Sequence, residues 1–319
     1  MSRGTVYLIA LVVVCLTGCG ASDVDVAQAM QVPPPSVAVD PAGPITVASF
    51  DFTESRIVAE IYAQALEAAG YPVERSPGVA AREVLEPALE QGLVDLIPEY
   101  AGTALAFLTD DPLAASADPA VTHARLVEAY AHRGVAVLDA AEAQNQNALA
   151  VRRETADRRR LSSVSDLRPI APDLVLGGPP ECPTRPLCLL GFERVYELRF
   201  ERFVPLDVGG PLTVAALDSG EVDVAVLFTS DRARSGDDVV YLTDDRGLQP
   251  AEHITPVIRR DVNAAHGPGL ARRINEVTAR LTAADLSRLV DRADIERAEV
   301  ASLAGAWLRQ AGLVPAADG

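Results

Sequence analysis

Two of the four cysteines, Cys182 and Cys188, stand six positions apart in GGPPECPTRPLC, residues 177–188, a stretch too rich in Gly and Pro for a helix or a central strand. A tetrahedral metal site would need two more soft or imidazole ligands, and His132 and His253 lie far off with no ligand-like spacing. The cysteines therefore read as a disulfide closing a small loop. Such a bridge requires an oxidising compartment and contributes roughly 2–3 kcal/mol on the chain-entropy model. Other chemistry has few places to sit. All 28 basic residues are Arg. Without Lys there is no GK[ST] phosphate loop, no Ser-x-x-Lys acylase and no Schiff-base enzyme. HExxH, GxSxG and GxGxxG are absent, and His123, His132, His253 and His266 are scattered. No metal, cofactor or catalytic residue is expected. Carboxylates such as Glu54, Glu99 and Asp207 keep open one enzymatic alternative, a cleft hydrolase using an acid pair.

The oxidising compartment directs attention to the N-terminus, MSRGTVYLIALVVVCLTGC. The apolar run from Val6 to Leu16 is too short to span a bilayer and suits the core of a signal peptide over residues 1–18. Small residues before Cys19 resemble a bacterial lipobox, in which cleavage leaves Cys19 to carry a lipid anchor. An uncleaved signal anchor with free cysteines is the alternative. Residues 19–44 then form a lipidated cysteine and a Pro-rich flexible tether. A net charge of −17 argues against nucleic acid, whose binding needs clustered cations. The basic run RRETADRRR, residues 152–160, reads as a solvated helix face.

The body after the tether is large enough for two cores. It opens with a β run, ITVAS, that enters an amphipathic helix carrying Ile57, Val58, Ile61, Tyr62, Ala65, Leu66 and Ala69, ended by Gly70. Asp51 with Glu54 reads as a capping box at that junction, a place where ligands collect in open α/β sheets. An internal echo pairs ALEQGLVDL, 88–96, with ALDSGEVDV, 216–224, and suggests two halves of similar construction leading to PEYAGT and LFTSD. QNQNALAVRR and GLQPAEHITPVIR read as outward and return crossings between the halves. The expected division is 45–145 with 252–319 in one lobe and 146–251 in the other, the C-terminal helices and Trp307 packing back on the first.

In order, SFDFTES, REVLEPALEQGLVDLIPEYAGTAL, QNQNALAV, SDLRPIAPDLVLGGPPECPTRP, DVGGPLTVAALDSGEVDVAVLF and DDRGLQPAEHITPVIR resemble the substrate-binding proteins of osmoprotectant ABC transporters, the binders of glycine betaine, carnitine and choline. The resemblance runs from about Ile45 to the C-terminus. It implies an α/β, two-lobed type II periplasmic-binding-protein fold, each lobe a central sheet flanked by helices, that captures a small polar solute and delivers it to a membrane permease with an ATPase partner. The expected protein is a monomer outside the cytoplasm, lipid-anchored to the cell membrane. A sensor or scaffold lipoprotein with the same fold is a further alternative.

The resemblance also implies the site. Tyr100 stands at the first cage tyrosine and Thr103 at a ligand-contacting hydroxyl. Where relatives carry further cage aromatics, this chain has Asn147, with Asn145 two residues before it, then Gly209 and Gly210, and Glu252. Phe50 and Asp51 complete the candidate set; of Phe50 and Phe52, which flank the strand-helix junction, at least one reads as core packing, Phe228 reads as continuing a buried strand, and the disulfide loop reads as lying outside the site. Each desolvated cation–π contact contributes roughly 1–2 kcal/mol, so three lost aromatics imply an affinity loss on the order of a thousandfold. The sequence therefore predicts betaine or, in its place, a hydroxylated solute suited to the amides.

Overall fold

The computed structural model describes residues 40–79, 81–111, 113–229 and 238–315. The expected signal segment, Cys19 and nearly all of the tether lie outside the described residues. Among the described residues no helix is long and apolar enough to cross a membrane. The chain forms β1 (Ile45–Ala48), α1 (Thr53–Ala68), β2 (Val73–Ser76), α2 (Arg82–Glu90), β3 (Leu96–Tyr100), α3 (Ala101–Thr109), α4 (Pro119–Tyr130) and β4 (Val135–Val137). Next come β5 (Asn147–Arg152), α5 (Arg153–Arg159), β6 (Val175–Gly178), α6 (Leu189–Tyr196), β7 (Arg202–Pro205), α7 (Pro211–Ser219), β8 (Val224–Phe228) and β9 (Val239–Tyr241). Last are β10 (Ile254–Arg259), α8 (Arg260–His266), α9 (Pro268–Thr278), α10 (Ala283–Asp294) and α11 (Val300–Gln310).

Two five-stranded sheets result, ordered β2-β1-β3-β10-β4 and β7-β6-β8-β5-β9. In each, three parallel strands meet one antiparallel strand, β10 against β3 or β5 against β8. Each antiparallel strand directly follows a crossing between sheets. The crossings pair with each other, Gln144 bridging His253 and Asn145 N–H donating to the Glu252 carbonyl at 3.0 Å. Alternate residues of the second sheet serve opposite faces: Leu149, Val151, Val224 and Val226 pack on one side, Ala150, Ala225 and Leu227 on the other. In the first sheet's core, α1 buries Ile57, Ile61 and Leu66 with Leu270, Leu303, Trp307 and Leu308 of the C-terminal helices.

The echo in the sequence is a repeated joint. Asp95 and Asp223 each precede a central strand by one residue, and each exchanges hydrogen bonds with the strand beside it. Thr46 N–H donates to Asp95 Oδ2 at 2.8 Å, and Val175 N–H to Asp223 Oδ2 at 3.0 Å. The other oxygen of each faces an arginine that ends the antiparallel strand, Arg259 at 3.1 Å and Arg152 at 3.7 Å. Arg152 thus belongs to this joint and not to a solvated helix face; α5 begins after it.

Two local expectations change. The N-cap of α1 is Phe52, with no side-chain cap, so Asp51 and Glu54 do not form a capping box. Asp51 instead pairs with Arg56, and Glu54 is buried. Ala69 lies outside the helix and is exposed, because the chain turns at Gly70, whose φ of 88° lets Tyr71 N–H donate back to the Leu66 carbonyl.

Gly92 and Gly70 both adopt positive φ, but a Cβ on Gly70 meets open space while one on Gly92 would lie 2.4 Å from Arg259 Nη1. Gly70→Ala is therefore expected to cost roughly 1 kcal/mol in urea denaturation, and Gly92→Ala roughly 2–3 kcal/mol. Equal losses would show that the Arg259 joint yields freely.

Candidate functional site

A cavity of about 630 Å³ lies between the two sheets. Its base is built where β3 runs directly into α3. Glu99, fully buried, accepts from Arg82 Nε and Nη2 at 2.9 Å each, a bidentate pair across α2 and β3. Arg82 Nη2 also donates to Thr103 Oγ1 at 3.0 Å, and its Cζ sits 5.0 Å from the Phe50 ring centre. Burial works to lower the Arg82 pKa, but the charge and hydrogen bonds of Glu99, with Glu86 and Glu252 beyond, reverse this and hold it above its ordinary value.

The other acids are differently placed. Glu54 Oε1 accepts from the Tyr100 hydroxyl at 2.8 Å and from Asn145 Nδ2 at 3.0 Å. Burial first, then Glu54, raises the Tyr100 pKa well above its usual value, so Tyr100 stays a neutral donor. Glu86 accepts from the Tyr130 hydroxyl at 2.6 Å, and burial followed by the neighbouring Glu99 charge drives its pKa far above the carboxylate range. Glu252 is held by Gly102 N–H at 3.1 Å through Oε2, with Thr103 Oγ1 at 3.5 Å. Burial, its largest influence, pushes its pKa up to about 8.

Five aromatic rings line the cavity: Phe107 of α3, and Phe50, Phe52, Tyr100 and Phe228, which meet one another from both sheets. Phe50 and Phe52 stack 6.0 Å apart at 7°, and Phe52 lies 5.7 Å from both Tyr100 and Phe228. Tyr100 ends β3 and Phe228 ends β8, each four residues beyond its copy of the echo, so the repeat delivers one ring per sheet to the same cavity. Phe228 is opposite Asn147 in the β5–β8 pairing, and this brings Asn147 to the wall.

Of the candidate residues, Phe50, Asp51, Tyr100, Thr103, Asn145, Asn147 and Glu252 line the cavity. Gly209 and Gly210 do not; they form the turn that lets Asp207 cap α7, its carboxylate accepting from Leu212 N–H at 3.0 Å and Thr213 N–H at 2.8 Å. A Cβ at Gly210 would lie 2.4 Å from Asp207 Oδ2, so this glycine is required by the cap. The disulfide Cys182–Cys188 is formed, but its loop is a wall of the cavity and not outside it. From that loop Arg185 reaches Glu83 of α2 at 2.7 Å, an ion pair that spans the two sheets' elements. The acid pair of a hydrolase is not assembled: Glu54, Glu99 and Asp207 line no part of the cavity, and each is engaged as described. Sequence reasoning missed Arg82, Phe52 and Phe228; extending the echo by four residues finds Phe228, whereas the Arg82–Glu99 pairing has no local signature.

Residues 43–310 match the family described as the substrate binding domain of ABC-type glycine betaine transport systems. The glycine betaine-binding protein YehZ of Escherichia coli is 26% identical over 287 residues, 87% of this chain and 93% of that one. A glycine-betaine-binding protein of Pseudomonas aeruginosa is 28% identical over 268 residues, 81% of this chain and 85% of that one. The crystal structure of a glycine betaine/carnitine/choline ABC transporter protein superposes with a TM-score of 0.67 at 23% identity, covering 84% of this chain and 99% of that chain. The shared architecture is the two-lobed type II periplasmic-binding-protein fold.

Glu86 and Glu252 bind protons in the folded protein at pH values where an unfolded chain, with carboxyls near 4.5, has released them. Their contribution to stability is full below that value and is lost as pH rises through the folded pKa. The melting temperature of the ligand-free protein is expected to fall between pH 5 and about 8, and Glu86→Gln to flatten the slope. A melting temperature that rises over this window in the wild type would contradict the buried neutral acids.

Proposed function

The chain belongs to the family of substrate-binding domains of ABC-type glycine betaine transport systems, and from that premise we propose that it captures a quaternary-ammonium solute between its two sheets and delivers it to an ATPase-driven membrane permease. The observation that carries this reading is the group of four rings, Phe50, Phe52, Tyr100 and Phe228, on the wall of one cavity beside the buried Glu252. A quaternary ammonium offers no N–H, so ring faces are what can hold it; Glu252, whose pKa burial pushes up to about 8, adds negative charge above that pH. The loss expected from Asn147, Gly209, Gly210 and Glu252 in place of aromatics is offset by Phe52 and Phe228, at roughly 1–2 kcal/mol per desolvated ring.

The Phe52–Phe228 approach crosses the cleft, so a solute held there favours the closed arrangement of the lobes, the form a permease would read. In this reading the protein works as a monomer. The N-terminal sequence supports an acylated Cys19 and a tether over 20–44 that hold the body outside the membrane.

Calorimetric titration with glycine betaine, carnitine and choline tests the reading. At least one is expected to bind and be recovered unchanged, and Phe52→Leu or Tyr100→Ala to weaken it roughly tenfold each. Turnover of the solute, or unaltered affinity in both variants, would overturn it.

A further inference from the structure

The loop that joins β6 to α6 holds Arg185 from three sides. The Cys182–Cys188 bridge closes it, with both cysteines buried in the core of the second sheet. Arg185 N–H donates to the Cys182 carbonyl at 3.2 Å, and the Arg185 carbonyl accepts from Cys188 N–H at 3.1 Å, so its backbone is tied to both ends of the bridge. Next to it, the Leu187 carbonyl accepts from Gln249 Nε2 at 3.1 Å and from Asn147 Nδ2 at 3.4 Å, one amide from each crossing. The position from which the Arg185 side chain sets out is therefore fixed relative to the hinge.

That side chain ends in a place hostile to a cation. Arg185 lines the cavity together with Arg82 and Glu83, which open α2 on the other side of the cleft. Burial first, then the Arg82 charge, works against the charge of Arg185 and lowers its pKa from the ordinary value; of the carboxylates that oppose this, Glu83 acts most strongly. Glu83 takes Arg185 Nη2 on its Oε2 at 2.7 Å. Arg82 itself is neutralised elsewhere, by Glu99. Closing the cleft thus carries one guanidinium against another, with Glu83 between the two sides.

Resting on the capture of a solute between the two sheets, we propose that Glu83 is a positioning residue for closure: it neutralises the bridge-held Arg185 as that cation is brought against Arg82, so that the lobes shut on the solute without a bare charge at their seam. Glu83 need not touch the solute. A cationic solute sharpens the requirement, because it adds a further positive charge to the same enclosed space. An ordinary surface ion pair contributes little and loses little when either member is removed. The arrangement at Arg185 is asymmetric instead. Removing the carboxylate alone strands a cation, whereas removing both members leaves nothing to compensate.

The experiment is calorimetric titration of choline and of glycine betaine into the wild type, Glu83→Gln, Arg185→Gln and the double variant. Glu83→Gln keeps the shape and the hydrogen bond to Arg185 and removes only the charge; it is expected to weaken whichever solute binds about fivefold. Adding Arg185→Gln is expected to restore the affinity, a rescue that a merely structural Glu83 would not show. The Glu83→Gln defect is also expected to shrink between about 50 mM and about 500 mM salt, as repulsion between Arg82 and Arg185 is screened. Reduction of the bridge with dithiothreitol, verified by counting thiols, frees Arg185 to turn to water and is expected to relieve the same defect; a defect unchanged by reduction removes the bridge from the account. Wild-type affinity in Glu83→Gln, or a loss that Arg185→Gln does not repair, overturns the inference while leaving solute capture intact. Binding of neither solute to the wild type overturns it together with the proposed function.

Discussion

Arg82 and Glu99 close on each other in a bidentate pair beneath the cavity, and the rest of the site is arranged around that contact. Its two charges are removed from water at a cost of several kcal/mol each, recovered only if every donor and acceptor is well placed. The placement is correspondingly complete: the second guanidinium nitrogen reaches Thr103, the Phe50 ring covers the cation, and Glu99 accepts from the Tyr100 N–H at 2.7 Å. Removing one member of such a pair typically costs about 3–5 kcal/mol, so the pair sets the shape of the turn that presents Tyr100 and Thr103. It also uses up the central cation. What remains toward the solute is aromatic and acidic.

The second constraint is the repeated joint. Asp95 with Arg259 and Asp223 with Arg152 lock each central strand against its neighbours at the end remote from the cleft. The strands then run the same short distance to their carboxyl ends, where Tyr100 and Phe228 stand. An aspartate that satisfies a neighbouring strand's N–H and an arginine at once fixes register strongly, because a slip by one residue would turn every buried side chain outward. The geometry of the cavity is thus set partly by salt bridges outside it.

Much of this was legible in the sequence. The periodicity of Ile57 to Leu66 gave α1, the Gly-turn-strand echo gave two similar halves, and the Cys182 and Cys188 spacing gave the bridge, since each is a local pattern with a local cause. Residues whose role depends on distant partners were not legible. Phe52 and Phe228 lie 176 positions apart and meet only because two sheets face each other. Gly209 and Gly210 were assigned to the solute although Asp207, two and three positions before them, needs that turn for its cap. Glu54 was assigned to a helix start, but the helix began one residue later than the pattern suggested and buried its carboxylate under Tyr100 instead.

The central claim is that positive charge, and not merely size and shape, is what the cleft holds. Titration of choline against 3,3-dimethylbutan-1-ol, its uncharged isostere, measures this directly. The account predicts that choline binds about a hundredfold tighter or more, the sum of a few desolvated cation–π contacts. Equal affinity for the two would contradict it.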